Sequence, residues 1–318
     1  MTEDHEAESA EPGDPGADAD SGHRCGFVAL IGAPNAGKST LVNQAVGVKV
    51  SIVTHKVQTT RSIIRGVVMR GQSQIVFVDT PGIFAPKRRL DRAMVDRAWS
   101  GARDADLFCI LLDAKKGIDP ESEEILRRAA GLPHDKILLL NKIDTVARES
   151  LLALAAEANE IVAFSETFMI SALNGSGVDD LLEHLAKAVQ PGPWLYPEDQ
   201  ISDLPMRNLA SEVTREKLYL RLHDELPYRS TVETTQWKDL KDGSARIEQT
   251  IFVERDSQKK IVIGKNGQAI KAVSSTARAE IAEMIDRPVH LFLFVKVRDA
   301  WADDPERYRE MGLDFPSN

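Results

Sequence analysis

The chain has 318 residues and a formal net charge of −9, a length that points to two domains once a tail is allowed for, each able to bury its own core. No apolar run approaches the length of a membrane-spanning helix; the longest, such as 107–112, have buried-strand length. No basic, apolar leader opens the chain, so a cytoplasmic protein is expected. Cys25 and Cys109 are the only cysteines, both in or beside apolar runs, and read as core filling in a reducing compartment.

The charge is unevenly spread. Residues 1–23 carry eight acidic side chains and no Lys or Arg, whereas residues 229–298 hold thirteen basic and nine acidic ones. An acidic total therefore does not exclude a nucleic-acid partner. The first 23 residues contain almost no large apolar side chains and are predicted to form a disordered acidic tail.

From residue 24 to 192, apolar runs alternate with amphipathic stretches. Strands are expected at 27–31, 63–69, 74–78, 107–112, 136–140 and 168–170, and helices at 38–46, 90–103, 122–130, 149–160 and 178–188. Such alternation predicts an α/β domain with a mainly parallel sheet, helices on both faces, and ligands at the carboxyl ends of the strands.

The motifs fall at those strand ends. Gly32-Ala33-Pro34-Asn35-Ala36-Gly37-Lys38-Ser39-Thr40 joins the first strand to the first helix, the context that a phosphate-binding loop of the form G-x-x-x-x-G-K-S requires. The two glycines let backbone N–H groups turn inward on an anion, Lys38 reaches the terminal phosphates, and the Ser39 hydroxyl is placed to hold Mg2+. Asp79-Thr80-Pro81-Gly82 follows the third strand; the carboxylate can hold the magnesium through water, and the Gly82 N–H can meet the terminal phosphate. Asn141-Lys142-Ile143-Asp144 follows the fifth strand. A carboxylate at Asp144 accepts both neighbouring N–H donors of guanine, one of which adenine lacks, so the expected nucleotide is GTP or GDP. Asn141 would tie this loop to the phosphate loop, and the Lys142 stem would cover the base. The N–H of Ala172, in Ser171-Ala172-Leu173, could meet the guanine oxygen. Between the first helix and Asp79 lies a loop, 51–61, that needs a threonine able to reach magnesium only when the terminal phosphate is present. Thr60 is the choice, with Thr59 as the alternative.

In order, GAPNAGKST, VQTTR, DTPG, NKID and SAL resemble the Era-like family of translation-associated GTPases. The residue after DTPG is Ile83, where Ras-like GTPases orient water with glutamine, so the resemblance implies slow hydrolysis without help. It also implies that Asn35 holds K+ beside the phosphates. His55 stands where the family pattern has proline.

Pro191-Gly192-Pro193 breaks any helix, and 193–205 reads as a linker. Beyond it, residues 206–298 predict a smaller α+β domain: an amphipathic helix at 206–226 with Leu209, Val213, Leu218, Leu220 and Leu222 as core contacts, strands at 231–237 and 246–252, two helices around a G-x-x-G, and a last strand at 290–297. Residues 299–318 are expected as a C-terminal tail. In Ile263-Gly264-Lys265-Asn266-Gly267, the missing side chains let a single-stranded sugar-phosphate backbone approach. Arg255, Lys259, Lys260, Lys265 and Lys271 supply the attraction. The element order and this segment resemble the KH arrangement of the same family. The resemblance implies a monomeric GTPase that binds the 3′ end of 16S ribosomal RNA during assembly of the small ribosomal subunit, cytoplasmic or peripheral on the inner membrane. The alternative is a GTPase of that group acting at the membrane surface or in cell division.

Overall fold

A computed structural model describes residues 22–57, 59–86, 88–299 and 301–316. The acidic stretch through residue 21, expected to be disordered, lies outside the described residues, as does Gln58 of the loop.

The first domain runs β1 (Arg24–Gly32), α1 (Lys38–Val46), β2 (Ile64–Arg70), β3 (Ser73–Asp79), α2 (Arg89–Arg103), β4 (Leu107–Asp113), α3 (Pro120–Ala130), β5 (Lys136–Asn141), α4 (Arg148–Ile161), β6 (Glu166–Ile170) and α5 (Val178–Ala188). Its six strands lie in the order β2-β3-β1-β4-β5-β6. β2 is antiparallel to β3, and the other pairs are parallel. Both faces of the central strands are buried, Ala29 and Ile31 in one core and Val28 and Leu30 in the other, which is why these strands read as unbroken apolar runs. Register brings the motifs together: Leu30 pairs with Asp79, and Asp113 pairs with Asn141. α3 begins two residues before its expected start because Asp119 accepts the Ser122 N–H at 2.8 Å and Pro120 occupies the first turn.

Residues 193–205, read as a linker, are laid against the sheet. Gln74, fully buried, accepts the Leu195 and Tyr196 N–H groups at 2.9 and 3.0 Å and donates to the Tyr196 carbonyl at 2.8 Å. Val67 N–H donates to the Ile201 carbonyl at 2.9 Å, so the segment covers the open edge of β2.

The second domain comprises α6 (Met206–Arg221), β7 (Ser230–Asp239), β8 (Ala245–Val253), α7 (Asp256–Ile263), α8 (Gln268–Met284) and β9 (Val289–Val297). Its sheet has the order β7-β8-β9, with β8 and β9 parallel. The helices pack on one face through Val213, Ile247 and Ile281 and through Leu218, Ile251 and Val273. α6 ends five residues before the expected 226. Leu220, expected in the core, is 47 % exposed while Leu209, Val213, Leu218 and Leu222 are buried, because two residues past Leu218 lies the opposite face of a 3.6-residue helix.

The expected tail folds back instead. A turn at Trp301–Asp303 and α9 (Pro305–Glu310) bury Trp301, Tyr308 and Leu313 against Leu90, Ala93 and Met94 of α2. The Trp301 Nε1–H donates to the Arg229 carbonyl at 3.1 Å. A six-residue helix has too little intrinsic stability to be visible without the surface it packs on.

Candidate functional site

The carboxyl ends of β1, β3 and β5 surround a cleft of about 320 Å³ lined by Asn35, Gly37, Lys38, Ser39, Thr40, Thr60, Gly82, Lys142 and residues of the 51–60 loop. Gly37 has φ +104°, and a Cβ there would lie 2.1 Å from Asn141 Nδ2, so only glycine fits. Lys38 is 6 % exposed and donates to the carbonyls of Gly32 and Ala33 at 2.9 and 3.1 Å. The Ser39 hydroxyl donates to Asp79 Oδ2 at 2.6 Å and lies 2.9 Å from Thr60 Oγ1. Thr60, not Thr59, therefore reaches the cradle; Thr59 bonds instead to Thr54 and the Lys56 carbonyl.

The donor set fits a magnesium ion and a phosphate chain. Ser39, Thr60 and Asp79 gather hard oxygen ligands at one point, and Asp79 Oδ1 is buried with no partner among the described residues. Burial pushes the Asp79 carboxyl above its usual range and pulls the Lys38 ammonium down to about 8. Each shift runs in the direction that a neighbouring opposite charge would reverse. Two further residues hold Asp79 and its surroundings without any sequence signal: Ser51 donates to Asp79 Oδ2 at 2.8 Å, and Asn43 accepts the Val50 and Ser51 N–H groups, both at 2.9 Å.

Asn141 donates to the Ala36 carbonyl at 2.7 Å and accepts the Ala172 N–H at 2.9 Å, joining three loops. Lys142 spans Asn35 O at 2.7 Å and Asp113 Oδ2 at 2.6 Å. Sequence reasoning misses Asp113, although an acidic residue closing an apolar strand is the signal Asp79 also carries. Asp144 is exposed in a short turn, free to meet a base. Ser171 and Thr80 face inward, the latter donating to the Leu30 carbonyl at 2.7 Å. Pro34 and Pro81 are buried too, Pro34 packed against Gly82. The Ile83 N–H donates to the Gly32 carbonyl at 3.2 Å, and its side chain is in the core, where it can orient no water.

The 51–61 loop also grips the second domain. Arg61, 3 % exposed, donates to the Ser230 carbonyl at 2.9 Å and to the Tyr219 hydroxyl at 2.8 Å, and its guanidinium lies 5.5 Å from the centroid of the Trp301 ring. Arg215 donates to the Thr59 carbonyl at 2.5 Å, and Glu216 Oε1 accepts the Val53 N–H at 2.9 Å. Lys49 pairs with Glu216 at 2.7 Å and with Glu280. Sequence spacing carries no sign of these contacts, since the partners lie more than 150 residues apart.

In the second domain, Gly264 and Gly267 have φ +73° and Asn266 φ +51°. A Cβ at Gly264 would lie 2.6 Å from Ala269 Cβ, so the loop between α7 and α8 is bare. Ile263 and Lys259 are half-buried beside it, and Arg255, Lys260, Lys265, Asn266 and Lys271 are exposed. Among the described residues, no carboxylate pairs with Arg255, Lys259, Lys260, Lys265 or Lys271. Cations of this kind beside an open helix start form an anion-facing surface.

Fold and site define a P-loop GTP-binding domain joined to a KH domain. Residues 27–142 match a family model described as 50S ribosome-binding GTPase, and residues 225–302 match the KH domain. The chain is 68 % identical over 293 residues to GTPase Era of Afipia carboxidovorans, covering 92 % of this chain and 95 % of that one. It is 69 % identical over 293 residues to GTPase Era of a Bradyrhizobium species, with the same coverage. A crystal structure of Era with MgGDPNP and nucleotides 1506–1542 of 16S ribosomal RNA superposes with a TM-score of 0.86 at 38 % identity, over 91 % of this chain and 99 % of that one. A point variant of Aquifex aeolicus Era bound to GDP and aluminium fluoride gives 0.85 at 37 % identity, with the same coverage. The chain belongs to the Era family of GTPases.

Gly37→Ala forces a methyl group into the Asn141 amide and should weaken guanine nucleotide binding by roughly a hundredfold or more, about 2.7 kcal/mol. Titration calorimetry with GDP checks this, and an affinity within a few-fold of the parent would contradict the cradle geometry.

Proposed function

We propose that this chain binds and hydrolyses GTP and holds the 3′ end of 16S ribosomal RNA on its KH domain, serving assembly of the small ribosomal subunit. The observation that carries the reading is the 51–61 loop, held on one side by Ser39 through Thr60 and on the other by the KH domain through Arg61 and Thr59. A change at the phosphate cradle must therefore strain contacts to α6 and the start of β7. The RNA assignment draws on the bare, basic loop at Gly264–Gly267 and on the RNA seen with the Era relative.

In this reading Lys38 and the backbone N–H groups of residues 35–39, which follow Pro34 and its missing donor, neutralise phosphate charge, while Ser39, Thr60 and Asp79 hold Mg2+. The ion supplies positive charge to the developing negative charge of the transferring phosphoryl group. Gly82 senses the terminal phosphate, and Asn141 and Asp144 select guanine; the Ala172 N–H, expected to meet the guanine oxygen, is instead given to Asn141, so Ala172 acts by holding that side chain in place. With Ile83 in the core, the position after Gly82 orients no attacking water, and in this reading turnover depends on a partner or a cation. We assign the cation to K+ near Asn35. The Asn35 amide donates to the His55 carbonyl at 2.8 Å, so an oxygen of the switch loop already lies beside that side chain. The localisation we propose is the cytoplasm, as a monomer, with the inner membrane reached only peripherally. Among the described residues no helix is long and apolar enough to cross a membrane.

Three measurements test this reading. Gly264→Asp with Lys265→Asp should lower affinity for 16S 3′-end RNA at least roughly tenfold while leaving GTP affinity unchanged; undiminished RNA retention would refute the KH assignment. Arg61→Ala should leave RNA affinities with GTP and with GDP nearly equal, and a preserved nucleotide dependence would remove this residue from the coupling. Single-turnover hydrolysis should be faster in potassium than in sodium and lose that difference in Asn35→Ala; equal rates in both salts sink the cation assignment.

A further inference from the structure

Among the described residues, the helices of the second domain pack on one face of its sheet. Val289 and Leu291 of β9 point into the helical side and are buried, while His290, Phe292, Phe294 and Lys296 alternate with them on the opposite face and are exposed. Phe292 is 42 % and Phe294 46 % exposed. Two large rings two residues apart on an open strand face are unlike an ordinary solvated strand, whose outward positions are polar.

Their surroundings are polar and cationic. Across the β8–β9 register, Phe292 faces Glu248, Phe294 faces Thr250 and Lys296 faces the half-buried Phe252, so β8 adds one ring among polar residues rather than the continuous apolar row of a protein-docking surface. The Arg246 guanidinium lies 4.6 Å from the Phe292 ring centroid and pairs with Glu248 at 2.7 Å, which neutralises the nearest carboxylate; Glu233 stands across from Thr250 on β7. Lys238, opposite Arg246, and Lys296, at the far end of the rings, have no carboxylate partner among the described residues.

Aromatic rings with a base-sized spacing on a sheet, bracketed by cations, are the arrangement that stacks unpaired bases while the cations meet phosphates. A strand held at the G-x-x-G loop has a route to this face: Lys296 pairs with Phe252, three residues before the exposed Arg255 that opens α7. We propose that the open face of this sheet is a second single-stranded RNA contact, with Phe292 and Phe294 stacking two bases and Lys238 and Lys296 meeting the backbone. The inference rests on the RNA-binding reading of the G-x-x-G loop.

The experiment uses the full chain with a GTP analogue and two labelled RNAs from the 16S 3′ end, one of about four nucleotides, matching the G-x-x-G clamp, and one of about twelve. Phe292→Ala with Phe294→Ala should weaken binding of the longer RNA by roughly tenfold or more and leave the short RNA and GTP unaffected. Phe294→Trp should retain binding, and photo-crosslinks from the longer RNA should map to β9. Unchanged affinity for the longer RNA in the alanine variant, while Gly264→Asp with Lys265→Asp abolishes it, overturns this contact alone. If neither variant affects RNA, the RNA reading itself falls with it. A parent chain that sediments as a dimer, and becomes a monomer on loss of the two rings, would assign the face to a second copy and overturn the proposal.

Discussion

Thr60 and Arg61 are neighbours in sequence and face opposite domains. One hydroxyl sits 2.9 Å from Ser39 at the phosphate cradle; the next guanidinium is sunk into the KH domain, with Ser230, Tyr219, Pro227 and Tyr228 as its acceptors. All of those acceptors are neutral. A buried cation without its own carboxylate is costly, and burial accordingly pulls the Arg61 guanidinium below its usual value. The surrounding rings of Tyr219 and Trp301 and the nearby Glu212 offset part of that cost. A contact of this kind is either fully made or lost, which suits the two-state role proposed for this loop.

The adjacent guanidinium behaves differently. Burial opposes the charge of Arg215, but Glu212 at its side outweighs it and raises its pKa. Arg215 is thus a stable post on α6, and it holds the Thr59 carbonyl. Glu216, one residue on, is pushed up by burial and drawn below its usual range by Lys217, Lys49 and the Val53 N–H. One turn of α6 therefore meets the 51–61 loop with a fixed cation and a fixed anion, while Arg61 supplies the more expensive contact from the loop side.

The C-terminal segment completes this arrangement. Trp301 touches Arg61 and the Arg229 carbonyl while its neighbours pack on α2, the helix that follows Asp79 and Gly82. Arg89 of α2 lies 3.8 Å from Asp303 and 5.0 Å from the Phe315 ring centroid. Both segments proposed to face the terminal phosphate are in this way tied to the end of the KH domain. Burying a tryptophan there contributes on the order of 3 kcal/mol, enough to keep the segment in place.

Local chemistry was legible in the chain by itself. The G-x-x-x-x-G-K-S loop, Asp79, Asn141, Asp144 and the G-x-x-G segment each combine backbone freedom, charge and position at the end of an element, and these properties are written in consecutive residues. Strand and helix order followed from apolar periodicity for the same reason. Tertiary structure alone decided the rest. Which of Thr59 and Thr60 reaches Ser39 depends on the course of a loop with no periodicity. Leu220 lost its core place through a helical angle, and the linker and tail acquired roles only from the β2 edge and the α2 surface they cover. The pairing of Arg61 with Tyr219 and Ser230 joins residues some 160 positions apart, and the shared open face of Phe292 and Phe294 exists only once three helices have covered the other side. A sequence specifies such meetings through the free energy of the whole fold, so no short pattern of residues announces them.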